Sequence, residues 1–127
     1  MGTRGPGAAG PSQPTMTNED RRRIWLQFHE VVNLSDGELE AWLRTDESRA
    51  VGFKRAGAES VGHASGRRIV SLLRRADREL TEDDYRHMRK VVGYVHRHLA
   101  QRPRGDVSDT RWRYSLLNWG HDPLRPL

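Results

Sequence analysis

The residues in this chain best suited to chemistry are one glycine-rich stretch and the arginines that follow it. Gly62-His63-Ala64-Ser65-Gly66 runs directly into Arg67-Arg68. A Gly-rich turn that opens a helix exposes unpaired backbone N–H groups at the positive end of the helix dipole, where an anion is favoured. Ser65 adds a hydroxyl donor, and His63 with the two arginines adds charge. Gly62, His63, Ser65 and Gly66 are therefore the candidate anion-binding residues, suited to one phosphate or to a small phosphorylated ligand. The simpler reading is that Ser65 caps the helix and the glycines relieve a tight loop. Neither GxxxxGK[ST] nor GxGxxG is present, so no nucleotide-loop fingerprint supports the stretch.

The second group is larger. On a helix over about residues 66–79, Arg67, Arg74 and Arg78 fall on one side, with Arg68 and Arg75 on the flank and all five away from the apolar stripe. On the following helix Arg86, Arg89, Lys90 and Arg97 lie opposite the apolar residues, within an arc of roughly 100°. If the two helices form an antiparallel hairpin, their basic faces merge into one surface fit for a phosphate backbone, where affinity comes from counterion release. These nine residues are the candidate nucleic-acid contacts. Few Asn or Gln accompany them, so base-specific readout is not expected. The competing readings are an ordinary solvated face and a surface that docks an acidic protein.

Other chemistry finds little support. No nucleophile elbow, HExxH or paired-carboxylate signature occurs, and no catalytic residue is assigned. Without cysteine there are no disulfides, thiolate metal sites or thiol nucleophiles. None of the six His pairs with another at i,i+4, and His96 and His98 diverge on a helix. A metal would need distant residues such as His29, His63 and His121-Asp122, so no metal or other cofactor is expected. Trp25, Trp42, Trp112 and Trp119 sit at helical spacing with aliphatic residues and read as core. Only Arg111-Trp112-Arg113-Tyr114 resembles a stacking platform for single strands.

The elements that must position these groups are all helical, a compact bundle of about five. The first covers about 19–33, capped by Thr17 or Asn18, and buries Ile24, Trp25, Phe28, Val31 and Val32. The capping box Ser35-Asp36-Gly37-Glu38 opens a second, with Leu39, Trp42 and Leu43 inward, ending near residue 46. A long Gly-rich loop follows over 46–66, with Val51, Phe53 and Val61 partly docked as a hairpin or a short helical turn. The third helix buries Ile69, Leu72, Leu73 and Ala76. Thr81 caps the fourth, which carries Tyr85, Met88, Val91, Val92, Val95 and Leu99 inward as far as about residue 100. The last, about 109–119, presents Trp112, Leu116 and Trp119 before Gly120 and Pro123 stop it. Residues 1–16 hold four Gly and three Pro with almost nothing to bury and read as a disordered tail before one domain over 17–127.

The chain has 127 residues and a net charge of +5. Its distribution says more than its total: residues 17–47 carry −4, residues 48–78 carry +6, and residues 79–105 carry +2. That asymmetry favours a polyanionic partner, with DNA the first expectation. An acidic protein partner is the alternative, and the acidic first third leaves room for self-association. No apolar run is long enough for a membrane span, and the N-terminus has no apolar secretory core, so a cytoplasmic location is expected.

The run Gly62-His63-Ala64-Ser65-Gly66-Arg67-Arg68-Ile69-Val70 resembles segments of a family of small bacterial and fungal proteins known only as a domain of unknown function. So do residues 87–100 (His-Met-Arg-Lys-Val-Val-Gly-Tyr-Val-His-Arg-His-Leu-Ala), the ending Asn118-Trp119-Gly120-His121-Asp122-Pro123-Leu124, and Phe28-His29 leading into Val31-Val32-Asn33. The likeness covers about 17–125. Members commonly have an acidic residue where this chain has Ala64; if that acid pairs with one of the following arginines, the resemblance implies a freer cation at this junction. The resemblance implies a label often given to such proteins, DNA-binding, and supplies no activity, substrate or catalytic residue.

Overall fold

The computed structural model describes residues 15–52, 54 and 58–126. The expected tail up to residue 14 and the docking of Phe53 lie outside the described residues. Met16 belongs with the domain: its side chain packs against the core and its backbone N–H donates to Glu82 Oε2 at 2.7 Å.

Every described α-helix opens on a Ser or Thr whose hydroxyl accepts from the amide three residues on. These helices are α1 (Asn18–Val31), α2 (Asp36–Leu43), α3 (Asp46–Ala50), α4 (Val61–Arg74), α5 (Glu82–Leu99) and α6 (Arg111–Asn118). The caps are Thr17, Ser35, Thr45, Ser60, Thr81 and Thr110. Such a cap stabilises a helix start by about 1 kcal/mol. In α1, α2 and α5 an acid at the third position reaches back to the cap amide, completing a capping box. A 3-10 turn (Asp77–Glu79) links α4 to α5.

The chain is all-helical among the described residues, as its periodicity predicts, but two boundaries differ. The stretch expected as one long loop contains α3. More important, the third predicted helix starts at Val61, not near residue 66, and ends at Arg74. Glycine's poor helix propensity makes Gly62 and Gly66 read as loop residues. Both are helical, and Gly66 is glycine because of its neighbours. A Cβ there would stand 2.6 Å from the Asn118 carbonyl oxygen and 2.7 Å from Leu43 Cδ2.

Two helix pairs, α1 with α5 and α2 with α4, enclose the core, and α6 packs against α2, α3, α4 and α5. Phe28, Leu39, Ile69, Met88, Val91, Val95 and Leu116 are essentially inaccessible at its centre. α4 packs chiefly on α2 and α5 on α1, so the expected close-packed hairpin that would merge the two basic faces is not the main packing. Side chains such as Ser65 and His87 link the two helices. Past α6, Gly120 adopts φ +81° and closes a Schellman turn, its amide donating to Leu117 O and that of His121 to Leu116 O. The chain then locks onto the α1–α2 connection: Asn33 and Leu34 amides donate to Gly120 O, and the Asn33 side chain exchanges hydrogen bonds with the Asp122 backbone.

Candidate anion-binding face and cleft

The arginines of α4 are the first group to place, and carboxylates already hold most of them. Arg67 binds Glu59 through Nε and Nη2, at 2.8 and 2.6 Å. Arg74 donates to Asp36 at 2.7 Å and forks onto Glu40 at 3.2 Å. Arg68 reaches Asp83 and Asp84, at 3.0 and 3.2 Å, and Arg75 reaches Asp84 at 2.8 Å. Arg67, with help from His63 and against the opposing effect of burial, keeps Glu59 at a pKa of about 2. Each exposed pair adds about 0–1 kcal/mol to the fold, but it cancels charge that a phosphate would otherwise meet. Of these four arginines only Arg74 pairs with the acidic first third; Glu59 of the basic middle itself and Asp83 and Asp84 at the start of α5 hold the other three.

On α5 the picture is different. Arg89, Lys90 and Arg97 are exposed and have no carboxylate partner among the described residues, whereas Arg86 has Glu82 at 3.6 Å. They face away from the stripe of Tyr85, Met88, Val91, Val92 and Val95, which α5 buries. Arg78, in the 3-10 turn, is also exposed without an acidic partner among those residues.

The α4 residues singled out for anion binding occupy different roles. Ser60, not Ser65, caps the helix, and it accepts from His63 N–H at 3.0 Å. His63 bridges Glu59 and the Leu43 carbonyl. Ser65 and Gly66 lie within the helix and are buried, so their amides are spent in the helical ladder and cannot cradle an anion. The Ser65 hydroxyl instead shares a 3.0 Å hydrogen bond with His87 Nε2. Burial, with Arg68 and Lys90 nearby, pushes His87 down to about 4, so its imidazole is neutral at pH 7. A serine beside a neutral imidazole is the geometry of an activated nucleophile. Here, however, the hydroxyl is buried and no carboxylate orients His87 Nδ1 among the described residues. The pair joins α4 to α5.

Asp84 is the matching polar joint. Burial alone would raise its pKa, but hydrogen bonds from Thr81, Arg75 and Arg68 hold it well below the carboxylate range. Arg75 Nε is the only fully enclosed side-chain nitrogen or oxygen without a partner among the described residues.

Between the first turn of α4, α5 and the end of α6 lies a cleft of about 340 Å³ lined by Gly62, Lys90, Tyr94, Arg97, Ser115 and Trp119, among others. Its floor is part of an aromatic column. His87, Trp119, Tyr94, His98 and Trp112 stack in that order, with centroid spacings of 6.4, 4.2, 5.2 and 5.8 Å and planes within 16° of parallel. Trp112 Nε1 donates to the His98 carbonyl at 2.8 Å, and His98 Nε2 returns a bond to the Trp112 carbonyl at 3.1 Å. This column, which joins α5 to α6, is not visible in either helix's periodicity alone.

The tryptophans otherwise behave as core residues. Trp112 and Trp119 are buried, while Trp25 and Trp42 are half-buried and donate to Asp77 and Asn118. Trp112 is covered and Arg113 is held by Asp122, so the 111–114 run, which resembles a single-strand platform in sequence, does not present one. Asn118, which sequence reading missed, is fully buried and bonds Trp42 Nε1 and both the hydroxyl and carbonyl of Ser48. For the metal alternative, His63 and His121 bond the Leu43 and Val31 carbonyls, and no metal-holding cluster of His, Asp or Glu occurs among the described residues. No described helix is long and apolar enough to cross a membrane.

The family described as "Protein of unknown function (DUF3140)" matches residues 27–117. That span contains the 62–70 and 87–100 segments that carry the resemblance, and the ending 118–124 falls outside it. No curated protein and no solved structure matches the chain.

Proposed function

The chain belongs to the DUF3140 family of proteins of unknown function, and from that premise we propose that it binds nucleic acid through phosphates, using the solvent face of α5. The observation that carries this reading is the difference between the two basic helices. Arg67, Arg68, Arg74 and Arg75 of the α4 region are paired with acids, whereas Arg89, Lys90 and Arg97 on α5 are not. From Arg89 to Arg97 the helix advances about 12 Å. Duplex DNA carries a phosphate about every 3.4 Å of axis on each strand, so that length meets several. Arg86 extends the face at the cost of a weak pair, and Arg78 supplies a further cation.

With contacts chiefly to phosphates and few Asn or Gln beside the cations, binding is sequence-tolerant and in the range of about 10⁻⁴–10⁻⁶ M at physiological salt. The test is fluorescence anisotropy of a labelled duplex with the wild type and with Arg89→Ala/Lys90→Ala/Arg97→Ala. The wild type is expected to bind at low salt and the triple variant to lose most of that affinity. Equal binding by the two proteins rules the reading out. An acidic protein surface would meet the same three cations, and it is separated by retention of a partner after nuclease treatment. Self-association through the acidic first third loses support, because Asp36, Glu38 and Glu40 are bound by Arg74 and Arg125 of the same chain.

A further inference from the structure

We propose that the cleft between the α4 N-terminus, α5 and α6 is a binding site for a small organic phosphate, a phosphomonoester carried on a partly apolar body. This does not rest on the nucleic-acid reading. The central observation is Trp119. It is 4% exposed, yet its indole N–H has no acceptor among the described residues, while Trp25, Trp42 and Trp112 each have one. A buried tryptophan ordinarily satisfies that donor. The nitrogen is not sealed in, since Arg75 Nε is the only fully enclosed unpartnered nitrogen or oxygen among the described side chains.

Gly62 explains where the indole N–H is open. It lines the cleft, and a Cβ on it would stand 3.0 Å from Trp119 Nε1. The missing methyl group leaves the space beside the indole nitrogen open at a residue that lines the cleft. Gly62 is also in the first turn of the 14-residue α4, where the amides of Val61 and Gly62 have no intrahelical acceptor. Lys90 and Arg97 of α5 also line the cleft, and no carboxylate is among its described lining residues. A helix start, two cations and a buried N–H all favour an anion, and their combined charge favours a dianion over a carboxylate. The apolar faces of Val61, Tyr94 and Trp119 suit the body that carries it. At about 340 Å³ the cleft is at the small end of the ~300–1,000 Å³ range of ligand sites.

The test follows the Trp119 indole resonance of the full chain by two-dimensional NMR during titration with adenosine 5′-monophosphate, with adenosine as the uncharged control. Adenosine monophosphate is expected to move that resonance saturably at millimolar concentrations or below, and adenosine to bind about tenfold more weakly or not at all. Lys90→Gln/Arg97→Gln, both exposed positions, should weaken binding by about tenfold or more. Gly62→Ala places a methyl group 3.0 Å from the indole nitrogen, so it should abolish the shift in a protein that circular dichroism shows to be folded. Arg89→Ala, outside the cleft lining, should leave nucleotide binding intact while weakening duplex binding, so the two readings fail separately. No saturable shift, equal binding of adenosine, or full affinity in the Lys90→Gln/Arg97→Gln protein overturns the proposal.

Discussion

Removing the Asp84 negative charge would leave Arg75 without its counter-charge, Arg68 with the exposed Asp83 alone, and the Thr81 amide with a weaker, neutral acceptor. Breaking a buried pair typically costs about 3–5 kcal/mol, and the solvent reach of both guanidinium groups reduces this. Asp84→Asn is expected to lower stability by about 2–3 kcal/mol in urea unfolding. The pH dependence separates this group from His87. Asp84 has its folded pKa below the unfolded value, so its contribution is present above about pH 4 and is lost as pH falls further. His87 is held near 4 in the fold against 6.5 ordinarily, so the unfolded chain takes up its proton first. Stability should therefore decline as pH falls from 6.5 towards about 4, and His87→Gln should flatten that part of the curve. Burial lowers His29 and His98 too, with the same sign, and leaves a residual slope.

Glycine carries opposite meanings in two helices. In α4, Gly66→Ala puts a methyl group within 3.0 Å of both the Asn118 carbonyl and Leu43. Overpacking of this kind costs about 1–3 kcal/mol, and the backbone carbonyl cannot swing aside. The helical gain of alanine over glycine is about 1 kcal/mol at most, so the variant should be destabilised. In α2, a Cβ on Gly37 would meet nothing within 4 Å, so Gly37→Ala should raise stability by about 0.5–1 kcal/mol in thermal unfolding. The contrast also explains which elements were legible in the sequence. Ser35-Glu38 and Thr81-Asp84 announce their helices because cap and acid are local. Ser60 caps α4 without an acid at the third position, and two glycines follow, so the start of α4 was misplaced to residue 66. What fixes Gly66 inside α4 is contact with Leu43 and Asn118, distant in sequence and invisible to periodicity. The aromatic column is hidden for the same reason, since His87, Tyr94 and His98 acquire their meaning only from Trp119 and Trp112.

At the scale of the molecule, the net charge of +5 does not say which cations the fold leaves without a partner. A helical wheel turns Arg67, Arg68, Arg74 and Arg75 away from the apolar stripe, but it does not show that Glu59, Asp83, Asp84, Asp36 and Glu40 face them or that Arg75 Nε is enclosed. The exposed cations of α5 are the part of the predicted basic surface that the fold leaves unengaged, and the proposed function depends on them. The most direct test is the salt dependence of duplex binding by the wild type, by Arg89→Ala/Lys90→Ala/Arg97→Ala and by Arg67→Ala/Arg74→Ala. Each phosphate contact contributes about 0.9 to the slope of log K against log salt. The α5 variant should lose a slope of about 2–3, and the α4 variant should keep the wild-type slope. Equal loss in both variants, or a slope unchanged by the α5 substitutions, would contradict the assignment of the phosphate-binding face to α5.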